Sequence, residues 1–222
     1  MIQYYLAIIL SIAALVGATL HVRSSLLGLS GRVSVPRPLV TTLVVIVALL
    51  APEPVDMNYK AGILFGLLVS LVADAFATIP GNPRITVLGL LLIAYFVYLA
   101  TFASETAFGW PTPWLLVLLL YGALLYWQIA PGLREMKITI LLYMAMLGLM
   151  TWQALEMALL HGQPWSALAF TGAICLVLAS SIESFNTFRT PIRGGTAYAV
   201  AAYLIAQWLL AASVWGGALL PA

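Results

Sequence analysis

Eight blocks of apolar residues follow one another along the chain, at approximately 2–21, 36–52, 59–80, 84–103, 113–131, 137–160, 165–188 and 195–216. No other feature restricts the fold as much. A backbone in hydrocarbon has no water to bond with, so each crossing segment must satisfy its own N–H and C=O groups as a helix. The breaks carry turn chemistry: "APEPVDMN", "IPGNPR", "GWPTP", "APGLREMK", "HGQP" and "RTPIRGG". A span takes about 20 apolar residues, so 222 residues hold eight spans and no separate soluble domain. Composition agrees: 64% of residues are hydrophobic and 7% charged, whereas soluble domains carry about 25% charged residues. The expected fold is all-α: a polytopic membrane protein with one transmembrane domain over 1–222, its eight helices bundled around an interior polar cavity.

Charge placement sets the expected topology. With eight spans, the odd-numbered loops share one face and hold Arg23, Arg32, Arg37, Arg84, Arg134, Lys137, Arg189 and Arg193; the even-numbered loops hold only Lys60. Cytoplasmic loops are enriched in Lys and Arg, which puts both termini on the non-cytoplasmic side. Omitting the second block, the weakest of the eight, would scatter the same charges over both faces. Arg37 at its start is expected to snorkel to the interface, with the helix beginning nearer Val33. The run from Ile2 has no basic stretch before it and no obvious cleavage site after it, so it reads as a retained first helix. A net charge of +2 gives no reason to expect a nucleic-acid partner, and Cys175, the only cysteine, excludes an internal disulfide.

Within "SLVADAF", residues 70 to 76, a carboxylate interrupts an apolar run. An ionisable group in hydrocarbon costs several kcal/mol unless it faces the interior, pairs or takes up a proton, and so marks a functional candidate. Ser70, Asp74 and Thr78 recur every fourth residue and form one polar stripe; Ser180, Glu183, Ser184 and Thr187 form another on the seventh segment. Both acids lie six residues before a loop, at Pro80 and at Arg189, or about 9 Å from the same membrane face. The stretches "LLVSLVADAF" and "LVLASSIESF" also echo one another faintly. Tyr95, Tyr98, Tyr121, Tyr143 and Tyr203 lie deeper than an aromatic belt, and as a set would line a polar cavity, with Gln207 one turn from Tyr203. Trp110, Trp114, Trp127, Trp165 and Trp215 sit near segment ends as expected interfacial anchors. His21 and His161 fall on opposite sides, so no histidine metal site is expected, and no nucleotide or dinucleotide fingerprint calls for a cofactor.

The ordered set "RPLVTT" from Arg37, "SLVAD" ending at Asp74, "AYFVYLATF" from Ala94, "MKITILLY" ending at Tyr143, "FRTPIRG" from Phe188 and "YLIAQWLL" from Tyr203 resembles the lysoplasmalogenase-like membrane family, also called the YhhN family. The resemblance spans nearly the whole chain. It implies an eight-helix fold in a bacterial inner membrane and hydrolysis of the vinyl ether bond of lysoplasmalogen, a lipid-like substrate, without a cofactor. It also implies one carboxyl each from helices 3 and 7. Vinyl ether cleavage begins with protonation of an alkene carbon and passes through an oxocarbenium ion captured by water. Paired carboxyls divide such roles in glycosidases. Where the family pattern has its helix 7 Asp this chain has Ser180, preceded by Ala179; the helix 4 His position holds Tyr95 and the helix 3 Gly position Ala73. Glu183, nearly one turn beyond Ser180, is the expected second carboxyl.

The expected catalytic residues are therefore Asp74 and Glu183, with Ser70, Tyr95, Tyr143, Ser180, Arg189, Tyr203 and Gln207 around the substrate. Two other readings use the same residues: a lipid-binding or transporting protein that kept the cavity without the reaction, and a proton-coupled transporter using both acids.

Overall fold

The computed structural model describes residues 2–27, 35–52, 56–81, 84–106 and 112–216, and among these every regular element is helical. The helices are α1 (Ile2–Leu26), α2 (Arg37–Leu49), α3 (Met57–Ala77), α4 (Arg84–Thr106), α5 (Pro113–Ile129), α6 (Lys137–His161), α7 (Pro164–Phe188) and α8 (Gly195–Ser213). Two single 3-10 turns, Ala130–Gly132 and Arg134–Met136, join α5 to α6. Each helix falls on one of the eight expected segments. Seven are long and apolar enough to cross a membrane.

The exception is α2, whose 13 residues rise about 20 Å against a hydrocarbon core of about 30 Å. It still runs antiparallel to α3. Lys60 Nζ near the start of α3 donates to the carbonyls of Leu49 (2.9 Å) and Ala51 (2.7 Å) at the end of α2. Arg37, at the start of α2, meets Asp74 near the end of α3. Lys60, the one basic residue expected on its face, thus satisfies carbonyls left open by a helix C-terminus. The helix begins at Arg37, not near Val33: Pro36 is extended and caps it, and Pro38 falls in the first turn, where a missing N–H costs nothing.

Seven helices close a ring in the order α1, α2, α3, α4, α6, α7, α8 and back to α1, with α5 packed outside against α6 and α7. Helix α8 also reaches α2 and α3, and most of its residues are buried. Only Ile129 is buried on α5. The buried face of α3 reads Tyr59, Ile63, Leu67, Ser70, Ala73 and Asp74, the spacing of one helical stripe. Gly66 lets α4 come close: a Cβ there would lie 2.2 Å from the Tyr98 ring.

The tryptophans divide. Trp114 and Trp127 are exposed on α5, as interfacial anchors would be. Trp165 and Trp215 are buried instead, which corrects the expectation for both. Trp215 donates through Nε1 to the Val47 carbonyl (3.0 Å), and Trp165 packs edge-on to Tyr59 (ring centroids 5.2 Å). The bundle interior, with a partner for the indole N–H, is as good a place for an amphipathic ring as the headgroup layer. Trp110 and Arg32 lie outside the described residues.

At the basic end, the turn after α5 is seated on the end of α7: a Cβ on Gly132 would fall 1.8 Å from the Phe188 carbonyl oxygen. Gly132→Ala must therefore displace backbone, and a loss of about 1–3 kcal/mol is expected. Gly148→Ala on α6 meets open space and is expected to be neutral or stabilising, since Ala is the better helix former. Unfolding of both variants in detergent micelles checks this; equal stabilities would show that the turn does not seat α7.

Candidate functional site

Asp74 is 1% exposed and fully engaged. Its Oδ1 accepts from Arg37 Nη2 at 2.8 Å, and its Oδ2 accepts from Thr41 Oγ1 at 2.6 Å. Arg37 and Thr41 are four residues apart and so share a face of α2. The Arg37 guanidinium lies over the Tyr203 ring, with Cζ 4.0 Å from its centroid, a cation–π contact that lowers the cost of keeping a cation inside the bundle. This corrects the snorkelling expectation. Arg37 turns inward, because a carboxylate and an aromatic face offer more there than the interface offers an isolated arginine.

Arg37 forms part of the wall of a cavity of about 400 Å³ at the basic end of the bundle. Opposite it run Ser180, Glu183, Ser184 and Thr187, so the whole polar stripe of α7 faces this space. Tyr95, Tyr143 and Tyr203 add hydroxyls, Arg84 stands at the α3–α4 end, and Val87, Leu88, Leu91 and Val200 supply apolar surface. Three hydroxyls are linked in series: Tyr95 to Tyr143 at 3.0 Å, and Tyr143 to Ser180 at 2.9 Å, with either partner able to donate in each. Glu183 is exposed to the cavity and accepts from Thr187 Oγ1 at 3.3 Å. The space is within the usual range for small-molecule pockets, about 300–1,000 Å³.

Five of the nine expected site residues therefore meet at one space: Tyr95, Tyr143, Ser180, Glu183 and Tyr203. Ser70, Asp74 and Gln207 lie behind it, in the buried layer between α3, α4 and α8. There Tyr98 donates to Gln207 Oε1 at 3.3 Å, while Ser70 Oγ, Tyr203 OH and Gln207 Nε2 have no protein partner. Arg189 is elsewhere: exposed, it donates to the Gln128 carbonyl at 2.9 Å and faces the Phe185 ring. Tyr121 donates across to Ser181 on α7 (2.7 Å), outside the cavity, and is no part of its wall. Asp74 and Glu183 make no bond to each other, each having its own partners. Sequence reasoning missed Arg37 and Thr41, although a buried carboxylate requires a cation and a donor and these two lie one turn apart. Among the described residues no three His, Cys, Asp or Glu side chains gather as metal ligands.

Fold and site together define a polytopic helical membrane protein with a cavity at its basic end. A family model described as the YhhN family matches residues 32–214, and the chain belongs to that family. It is similar to the membrane protein YhhN of Escherichia coli O6:H1, of Escherichia coli O157:H7 and of Shigella flexneri. Each is 30% identical over 206 residues, covering 92% of this chain and 97% of the relative, and each is described only as an uncharacterized membrane protein. No solved structure matches.

Removing one partner of a buried ion pair leaves the other charge uncompensated, at a cost of about 3–5 kcal/mol, whereas replacing both by apolar groups is often neutral. Arg37→Met and Asp74→Leu are each expected to destabilise strongly, and the double variant to recover most of the loss. Denaturant unfolding in micelles gives the coupling; additive losses would mean that the two charges do not depend on each other.

Proposed function

We propose that this protein is a lysoplasmalogenase-like hydrolase, cleaving the vinyl ether bond of a single-tailed ether lipid into a fatty aldehyde and a glycerophospho-headgroup. One observation carries the reading: the cavity wall brings the Glu183 carboxyl together with the linked hydroxyls of Tyr95, Tyr143 and Ser180. The family resemblance supplies the reaction, and the geometry supplies groups suited to it.

Protonated Glu183 gives its proton to the outer alkene carbon. The C=C electron pair forms the new C–H bond and leaves an oxocarbenium ion shared by the inner carbon and the ether oxygen. The Glu183 carboxylate then takes a proton from water as the water oxygen bonds to the inner carbon. The hemiacetal collapses to aldehyde when its hydroxyl proton passes to the ether oxygen, a transfer that the Tyr143–Ser180 hydroxyls are built to relay because each can donate and accept. One water is consumed and nothing is oxidised or reduced. General acid–base help of this kind contributes about 10²–10⁴ in rate. Asp74 acts here as a positioning residue, holding Arg37 in the cavity wall, while Arg84 at the mouth attracts the phosphate. The same end is the cytoplasmic one in this proposal, since among the described residues all basic side chains except Lys60 gather there.

A second reading, lipid binding or transport without turnover, is favoured by a different fact: among the described residues, Glu183 is the only carboxyl in the cavity wall. Aldehyde release from lysoplasmalogen by the purified protein separates the two. Wild type is expected to turn over, Glu183→Gln to lose about a hundredfold or more in kcat, and Ser180→Asp to gain by restoring the family's second carboxyl. Saturable lysoplasmalogen binding with no aldehyde from wild type would sink the hydrolase and keep the binder. For orientation, a reporter fused in the Arg134–Lys137 turn is expected to read cytoplasmic and one at the C-terminus non-cytoplasmic.

A further inference from the structure

The cavity is too small for the whole of a lysolipid. A tail that reaches through one leaflet is about 15 Å long, half of a hydrocarbon core of about 30 Å. About 400 Å³ accommodates a glycerophospho-headgroup and the first carbons of a chain, but not that length as well. The rest of the tail must leave the cavity through its wall, into surroundings where hydrocarbon is stable.

One part of the wall is built for this. A second, narrow groove runs between α5, α6 and α7, lined by Leu118, Tyr121, Leu125, Met144, Leu147 and Val177. Ser180 and Ser184 belong to both the groove and the main cavity, so the two spaces adjoin where α6 meets α7, with the Tyr143–Ser180 bond between them. Gly122 on α5 and Gly148 on α6 face the groove, and a Cβ at either would meet nothing within 4 Å. The helix on its outer side is the least buried of the bundle, with Leu116, Leu119, Leu120 and Leu124 exposed to the bilayer. It is fastened mainly at its ends, by Thr112 to Glu156 at one and by Arg189 to Gln128 at the other. Between these ends one hydrogen bond crosses to α7, from Tyr121 to Ser181 at 2.7 Å.

We infer that the α5–α6–α7 groove takes the hydrocarbon tail of the lipid whose polar end occupies the main cavity. The inference rests on the single-tailed-lipid reading and extends it by assigning the tail's route. As it stands the groove encloses about 30 Å³, so the tail enters as Tyr121 releases Ser181 and the middle of α5 yields, which its sparse burial permits. Chain length is then read by the two glycines: a side chain at position 122 or 148 fills the space the tail needs, and the headgroup end is untouched.

The test uses two non-hydrolysable alkyl-ether lysophospholipids in nanodiscs, one with a diazirine at the tail end and one with a diazirine on the headgroup. The tail probe is expected to label residues 114–126 of α5 and 144–148 of α6. Gly148→Leu and Gly122→Leu are expected to cut that labelling at least about tenfold, the scale on which a pocket discriminates by a few methylenes. Headgroup labelling near the cavity should persist, and Tyr121→Ala should increase tail labelling. Saturable tail labelling on α4 or α8, unaffected by Gly148→Leu, would overturn the groove and leave the lipid reading standing. Absence of saturable labelling by either probe would remove the lipid reading itself, and the groove with it. Gly122→Ala and Gly148→Ala, whose added Cβ meets open space, should melt with wild type, and the Leu variants are read only where they remain folded in the nanodisc.

Discussion

The structure is organised around one ion pair placed where charges are expensive. Arg37 and Asp74 meet inside a bundle whose surroundings are hydrocarbon, and each is tolerable there only because of the other and of Thr41 and Tyr203. The pair fixes how α2 lies against α3. It also fixes how deep α2 begins, because the arginine that starts the helix must reach a carboxylate already inside the end of α3. A helix that starts below the membrane surface leaves room above its first turn. The cavity occupies that region, and Arg37 is the only part of α2 in its wall. A short helix, a buried pair and a cavity are thus three aspects of one arrangement.

The polar side chains elsewhere follow the same economy. Lone hydroxyls on the helices mostly return to a carbonyl three or four residues earlier, as Thr101 does to Val97 and Thr151 to Leu147, and so make no demand on tertiary structure. The exceptions fall at both ends of the bundle: Thr112 meets Glu156 and Tyr59 meets Ser213 at one, while at the cavity Tyr95, Tyr143 and Ser180 bond in series across three helices. Behind them, Ser70, Tyr203 and Gln207 present polar atoms with no protein partner. Buried groups of that kind usually bond to ordered water. Ser11, Gln153 and Trp208 keep single unpartnered atoms elsewhere in the interior, but the layer beneath the cavity brings three such side chains together.

Much of this was legible in the sequence. Eight apolar blocks became eight helices because in hydrocarbon the backbone has no alternative, and the α7 stripe faces the cavity as a single surface because its residues recur at helical spacing. The Arg37–Asp74 pair was missed for a specific reason: Arg37 lies at the start of a short block, where snorkelling is the ordinary fate of an arginine. The register was nonetheless available. Arg37 lies as many residues before Ala51 as Asp74 lies after Lys60, so an α2–α3 hairpin closed by Lys60 on Ala51 sets the two charges opposite each other. Arg189 and Tyr121 were misplaced because spacing along one helix cannot tell a cavity from the outer face when a peripheral helix such as α5 is present. The buried Trp165 and Trp215 escaped for a related reason, since position near a segment end does not reveal which end residues the bundle covers.

The resemblance sets an Asp where this chain has Ser180, and a serine there has a physical reading in this arrangement. Ser180 lies deep enough to bond Tyr143, and a carboxylate at that depth would need a cation of its own. Arg37 in the cavity wall is already committed, through Nη2, to Asp74. A second deep carboxylate would leave two negative charges sharing one arginine, which raises the cost of ionising either. Moving the acid one turn toward the basic face, to Glu183, places it where the cavity opens and water can solvate it. The hydroxyl left at position 180 keeps the chain of hydrogen bonds intact. The carboxyl of α7 then stands at the cavity wall, apart from the buried pair, with Ser180, bonded to Tyr143, one turn deeper on the same helix face.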